Sequence, residues 1–489
     1  MKIWLSNHPV FIIIILCLLS RLPQLLSSDL VLDGDETIVG LMAKHFSEGK
    51  GIPYFFYGQS YGFSFIEVIC ISLFYLFFGV TGIAIKLAML SLWTVGIVFF
   101  YKAIQHINPE DKWNVFLITL VFIFAPSWMI WSMKARGGYL TSFTLFSIIL
   151  YLMFNNRFNK HKSVSLLIGL LTVVIYQSQP LWLAGLTPIF IYHFYKLKIK
   201  HSILFLCGIL SAAIGFYFLK LNLSHFWSPQ VISLSNFNLK SLGTFPVDIY
   251  NHLTGSYDYE DIIPTTLSIK LWSCIFTLLI FTVLGIGIIY LSRKKKINPL
   301  FYVLCLSELC SIGYLFLLTN VSPRYLLPLT GYSLLLLFSL ATFERRYITK
   351  IVFCFLIILG CFSITDFKFD KYESTHKSDL FSLINKLESR KIYHIYCEGG
   401  LLQWQIMFYS QEKIIARYFS NTDRYPKYIE RVDDALTKDS TKIAIIGYFP
   451  PKNKKDSLYF IGVDERYCIY ENPGKQMLIK HGFDLSRVP

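Results

Sequence analysis

"VLDGDETIVGLMAKHF" (residues 31–46) sets Asp33, Asp35 and Glu36 within one helical turn, directly after the first apolar stretch of the chain. Asp35 is placed to cap the helix that follows, with Gly34 giving the turn. Carboxylates at the edge of a membrane are also groups that can take a proton in a reaction. The rest of the chain has to decide between the two. From Glu36 to Glu48 the spacing predicts an amphipathic helix resting on the membrane surface. Ile38, Met42 and Phe46 share one stripe, and Lys44, His45 and Glu48 lie elsewhere.

The 489 residues are 54% hydrophobic and 16% charged, with a mean hydropathy of +0.50. Soluble domains carry about 25% charged residues, so the chain reads as a polytopic α-helical membrane protein. The net charge of +15 would suit nucleic acid. Lys and Arg fall instead in short clusters between apolar runs, the pattern of cytoplasmic loops, and nucleic acid is rejected as a partner. Apolar runs long enough to span, about 17–25 residues, lie near 8–27, 83–101, 113–132, 139–155, 164–179, 180–195, 202–220, 268–291, 300–319, 325–342 and 350–366. That makes about 11 spans. The first of them ends at Arg21 without a small-residue cleavage site and is read as uncleaved.

The clusters at 155–162, 195–201, 292–298 and 343–350 fix the cytoplasmic side. Walking from them conflicts with a cytoplasmic N-terminus unless one of the runs 63–79 and 83–101 fails to cross. The run 63–79 is short and carries Glu67, so it is read as lying in the outer leaflet. The loop with Asp35, "ARGGY" (135–139), the long loop 221–267 and "TNVSPRY" (319–325) then share the outer side. Residues 1–366 form the membrane module. Residues 367–489 form a small extracytoplasmic α/β domain, in which "KIYHIYC" and "KIAIIGYF" read as strands with an amphipathic run between them. Eight of the ten cysteines lie in apolar runs as small hydrophobes. Cys397 and Cys468, in the polar tail, are the pair open to a disulfide in an oxidising compartment.

The outer face carries the chemistry. Asp33-Gly34-Asp35 is a DxD pattern. A divalent cation at Asp33 and Asp35 is left open, although three acids on one turn do not complete an oxygen shell. Tyr57, Gln59 and Tyr61 lie in an aromatic stretch that reads either as an interfacial belt or as a ledge for a sugar ring. Glu67 is a carboxylate at membrane depth and so a functional candidate by default; Glu308 raises the same flag more weakly. Arg136 and Arg324 lie at outer helix ends, where they either snorkel or hold phosphate with a matching fork. Together these suit a surface reaction with an anionic leaving group: a carboxylate takes a proton from an acceptor hydroxyl and arginines hold the departing charge.

In these residues the chain resembles the C-type (GT-C) membrane glycosyltransferases, such as protein O-mannosyltransferases and the aminoarabinose transferases of lipid A. The similarity is carried by Asp35-Glu36 after the first span, Gly40-Leu41-Met42-Ala43, His45, Tyr57-Gly58-Gln59, Tyr61, Glu67, "GGY" (137–139), "PRYLLPL" (323–329) and "DRYPKY" (423–428). The resemblance implies a polyprenyl-phosphate–sugar donor and inversion at the anomeric carbon. It implies Asp35 as general base with Glu36 beside it, and Arg324 near the lipid phosphate. The candidate substrate-binding set is Asp33, His45, Tyr57, Gln59, Tyr61, Glu67, Arg136, Tyr139, Arg324 and Tyr325. The acceptor, whether glycan, lipid or protein, stays open, and the expected place is the outer face of a bacterial inner membrane. A transporter or flippase of lipid-linked sugars is the rival, and it would usually show internal repeats and broken midplane helices. A polysaccharide polymerase would want an arginine-rich outer loop, and 221–267 has no arginine.

Overall fold

The computed structural model describes residues 8–27, 32–158, 160–221, 239–255, 266–292, 298–318, 322–341, 346–364, 373–438, 442–448, 460–464 and 466–488. The chain opens with α1 (Pro9–Leu19) and a single turn, α2 (Leu22–Leu25). Arg21, between them, interrupts the first span in sequence, but the structure uses it as a latch. It is fully buried, lies 4.4 Å over the Trp93 ring, and donates to Ser132 Oγ at 3.0 Å, Ile123 O at 2.7 Å and Trp128 O at 2.9 Å. Ile123 and Trp128 flank the place where the expected span 113–132 breaks into α6 (Lys112–Ile123) and α7 (Pro126–Trp131). Pro126 forces the break: Ala125 before it is extended, at ψ 125°, as a residue preceding proline must be.

Between these pieces lie α3 (Gly34–Ser47), α4 (Phe65–Phe78) and α5 (Gly82–Ile107). With 14 residues, α4 is about 21 Å long at 1.5 Å per residue, short of the ~30 Å hydrocarbon core. The bundle continues through α8 (Tyr139–Phe154), α9 (Lys162–Ser178), α10 (Leu181–Tyr195), α11 (Ile199–Leu221), α12 (Leu239–Thr254), α13 (Leu267–Ser292) and α14 (Pro299–Leu315). A 3-10 turn at Pro323–Leu326 leads into α15 (Leu327–Ala341), followed by α16 (Arg346–Ser363). By length and composition three described helices can cross a membrane: Gly82–Ile107, Ile199–Leu221 and Leu267–Ile289. The other expected spans appear as shorter apolar helices, with the run 325–342 forming the 3-10 turn and α15. The expected long loop 221–267 contains α12, with 222–238 and 256–265 outside the described residues.

The boundary expected at 366/367 also lies outside the described residues. Beyond it come α17 (Glu373–Ser389), β1 (His394–Cys397), α18 (Leu402–Tyr409), β2 (Ile415–Arg417), α19 (Pro426–Lys438), β3 (Ile443–Gly447), β4 (Phe460–Asp464), β5 (Tyr467–Glu471) and α20 (Lys475–Lys480). The strands form one sheet in the order β2-β1-β3-β5-β4. β1 runs parallel to β2 and β3, and β5 runs antiparallel to β3 and β4. The two parallel connections carry α18 and α19, as parallel pairing requires. Both expected strands are present, as β1 and β3, and the amphipathic run is α19.

The disulfide left open between Cys397 and Cys468 does not form, and both are buried thiols. Cys397 ends β1 opposite Ile446, and Cys468 pairs with Gly447 on the other edge of β3. Two strands separated by a third are roughly 9–10 Å apart, beyond disulfide reach.

Replacing Arg21 by Met leaves the Ile123 and Trp128 carbonyls without their donor. At about 1–3 kcal/mol per orphaned buried group, a purified Arg21→Met variant is expected to unfold several degrees below wild type in a thermal melt.

Candidate active site

The acidic turn divides its labour. Asp33, not Asp35, is the N-cap of α3. The Glu36 amide donates to Asp33 Oδ1 at 2.9 Å and the Asp33 amide to Glu36 Oε2 at 3.2 Å. This is a capping box, which needs an acceptor at the N-cap and a Glu three residues on; Asp33 and Glu36 have that spacing and Asp35 does not. Glu36 is fully buried. Its Oε1 takes Lys86 Nζ of α5 at 2.6 Å and the Ala135 amide at 3.4 Å. Asp33 Oδ2 meets Lys134 Nζ at 3.1 Å and Arg136 at 3.7 Å. Burial alone would raise the Asp33 carboxyl; Lys134 and Arg136 outweigh it and hold it well below the usual range. Asp35, freed from capping, accepts from Arg136 Nε at 3.0 Å through Oδ2 and projects into a cavity.

That cavity, about 350 Å³ in volume, is lined by Asp35, Gln59, Tyr61, Arg136, Tyr139, Arg324, Tyr325 and Arg424, among others that include Lys220 and the 176–181 turn. The structure thus brings together seven of the residues of the candidate catalytic and substrate-binding set. Arg324 Nε is buried without a hydrogen-bond partner among the described residues. Burial raises the Tyr61 hydroxyl, and Arg424 acts in the opposite direction.

Glu67 is off the cavity. Its Oε1 accepts from the Gly138 amide at 3.0 Å, at the N-terminus of α8, where a carboxylate satisfies orphan amides. Gly138 has φ +92°, and a Cβ there would meet Phe63 O and Ser178 at 2.8 Å, so the turn needs glycine. Glu67 therefore fixes the turn whose flanking residues, Arg136 and Tyr139, reach the cavity. Glu308 is bonded to Ser333 at 2.7 Å and is likewise absent from the cavity wall.

His45 and Tyr57 also face away from the cavity, into the seam with the C-terminal domain. His45 Nδ1 is 2.8 Å from Tyr57 Oη. Its Nε2 is 3.0 Å from Glu412 Oε1 and 3.2 Å from Tyr428 Oη. Lys44 pairs with the other Glu412 oxygen. Hydrogen bonds from His45 and Lys44 overcome burial and hold the Glu412 carboxyl well below the ordinary range. At Gly40 a Cβ would strike Ile85 at 2.6 Å and Phe408 of α18 at 2.7 Å, so α3 is sandwiched between α5 and the domain. It does not rest on the membrane surface as its periodicity suggests, because both faces are covered.

Lys86, Lys134, Glu412 and Arg424 were not among the sequence candidates. A lysine inside the apolar run "GIAIKLAML" needs a partner, and that signal pointed to Lys86. Arg424 lies in the quoted motif "DRYPKY" and Lys134 directly before "ARGGY", but neither motif marks which charge reaches the site, and Glu412 sits in a polar segment where a charge is unremarkable. Among the described residues no group of three His, Cys, Asp or Glu side chains is placed to hold a metal ion. The oxygens of Asp33 and Asp35 face ammonium and guanidinium groups, a setting that does not fit a divalent cation unless those groups move away.

No protein-family model and no curated protein sequence matches the chain. Its fold is similar to that of ArnT. The apo crystal structure of ArnT from Cupriavidus metallidurans aligns with a TM-score of 0.61 at 11% identity, covering 96% of this chain and 98% of ArnT. The structure of the same protein bound to undecaprenyl phosphate gives 0.62 at 12% identity, covering 96% and 99%. The chain therefore shares the fold of these two structures along nearly its whole length.

Two outcomes follow from the ion pairs. Lys86→Met leaves Glu36 buried and uncompensated, a change that costs about 3–5 kcal/mol; adding Glu36→Gln is expected to restore much of the melting temperature. Asp33 and Glu412 both have depressed carboxyls, so their stabilisation is complete above the unfolded value of roughly 4 and is lost as pH falls below it. Melts between about pH 6 and 3 should show that loss, with a shallower slope in Glu412→Gln.

Proposed function

We propose that the chain is an inverting glycosyltransferase that moves a sugar from a polyprenyl-phosphate donor to an acceptor at the outer face of a bacterial inner membrane. The observation that carries this reading is the cavity with one carboxylate, Asp35, among three arginines. The undecaprenyl phosphate bound to the ArnT of the same fold supports the donor class.

Asp35 is the general base. As the acceptor hydroxyl attacks the anomeric carbon, its proton passes to an Asp35 oxygen. The bond from that carbon to the phosphate oxygen breaks, and the polyprenyl phosphate leaves with the electron pair. Arg136 orients Asp35 through the 3.0 Å bond. Arg324, at the mouth of α15, takes the phosphate charge as it develops. Gln59 and Tyr61 offer hydrogen bonds to sugar hydroxyls. Glu36 and Glu67 serve by holding α3 and the 136–139 turn in place. The flippase reading is weaker, because the acids singled out here gather at one end of the bundle, apart from Glu308, which is bonded to Ser333.

The test is release of undecaprenyl phosphate from undecaprenyl-phosphate sugars by purified wild type and Asp35→Asn, with membrane extract as acceptor. Asp35→Asn is expected to lower release at least a hundredfold while keeping the wild-type melt. EDTA is expected to leave wild-type release unchanged. Equal release by both proteins would sink Asp35 as the base.

A further inference from the structure

Arg424 reaches the cavity from outside the membrane module. It precedes α19 in the C-terminal domain, yet lines the same wall as Asp35, Arg136 and Arg324. Its approach is closely fitted. The Arg424 Cα lies 2.9 Å from where a Cβ on Gly58 would stand, and Gly58 has φ +73°. Its guanidinium packs 4.9 Å over the Phe56 ring and donates to Tyr57 O at 3.3 Å. Neighbouring Asp423 accepts from Gln403 at 2.9 Å, which fixes the turn. The seam of His45, Glu412 and Tyr428 sets the position of the whole segment.

The cavity wall carries Arg136, Arg324, Arg424 and Lys220 against the single carboxylate of Asp35. Arg136 is engaged with Asp35 and Asp33. The wall thus carries more cations than carboxylates, and the planar fork of arginine matches phosphate and carboxylate oxygens. We propose that Arg424 is an oxyanion-binding residue of this cavity, delivered by the C-terminal domain, so that the domain is part of the substrate site. The inference rests on the glycosyltransferase reading for the identity of the anion. That anion is either the phosphate of the donor or an anionic group of the acceptor beside the reacting hydroxyl. In either case docking of the domain completes the site.

The test uses the full-length protein in detergent, as wild type, Arg424→Lys and Arg424→Gln. Gln keeps a donor for Tyr57 O and loses the charge; Lys keeps the charge. Undecaprenyl phosphate is titrated first, and inorganic phosphate is then titrated into the lipid-saturated protein. A tenfold or greater loss of undecaprenyl-phosphate affinity in Arg424→Gln, with Arg424→Lys within threefold of wild type, assigns Arg424 to the donor phosphate. Unchanged lipid affinity, with phosphate uptake by wild type and Arg424→Lys but not by Arg424→Gln, assigns it to an acceptor anion. Equal losses in both variants accompanied by a lowered melt would make Arg424 a structural residue and overturn the proposal. So would binding of both ligands that ignores the substitution, or no binding of either. A wild type that takes up phosphate through Arg424 but ignores undecaprenyl phosphate would remove the donor assignment and leave the oxyanion site standing.

Discussion

The geometry of the cavity wall depends on Glu36 and Lys86. A fully buried carboxylate and an ammonium from a membrane helix meet at 2.6 Å. The same carboxylate closes the capping box of α3 and receives the Ala135 amide. One side chain therefore joins three segments that are far apart in sequence: the first turn of α3, α5 and the 134–138 turn. A buried pair of this kind contributes little net stability relative to an apolar replacement, but removing one partner is severe. Its use here is register. With Asp33 and Glu36 committed to the helix end, Asp35 is the one acid of the three that reaches the cavity.

A second seam, between α3 and the C-terminal domain, has the same logic. Leu32 is held through both backbone groups, its amide by Tyr409 at 2.9 Å and its carbonyl by Gln405 at 2.8 Å. Gly40 allows Phe408 to come close, and Glu412 gathers Lys44, His45 and Tyr428. The aromatic rings of His45, Tyr57 and Tyr425 lie 5.0–6.0 Å apart. Residues that in sequence look like a sugar ledge are thus divided. Gln59 and Tyr61 face the cavity, and Tyr57 faces the domain. A C-terminal sheet domain docked this closely carries Arg424 to the same cavity wall as Asp35.

The membrane class and two strands of the sheet were legible because they depend on composition and local period. Asp35, Arg136 and Arg324 were legible because charge next to apolar runs is conspicuous. The cap was misplaced by two residues: Asp33 and Asp35 both precede a helix, and only the reach of Glu36 back to the Asp33 amide separates them. The fate of His45 and Glu67 was not legible, since a polar side chain in an apolar setting announces that it has a partner without naming it. Glu67 found backbone amides at the start of α8, and His45 found Glu412, 367 residues away. Arg424 was only half legible: "DRYPKY" stands among the motifs of the resemblance, but in a polar tail nothing in the sequence assigns its arginine to the cavity.

On the proposed reaction, the arrangement of charge explains why one acid is surrounded by cations. Before transfer the cavity would hold the Asp35 carboxylate and the single charge of the donor phosphodiester. Afterwards Asp35 is neutral and the departing phosphate monoester carries the second charge. The total does not change; one negative charge moves from the carboxylate to the phosphate. Arg136 is bonded to Asp35 at the outset and loses that ionic partner at the moment the phosphate gains charge. Preorganised cations near both positions stabilise that displacement without reorganising solvent. A second carboxylate in the cavity would oppose it, and the capping box and Lys86 keep Asp33 and Glu36 out.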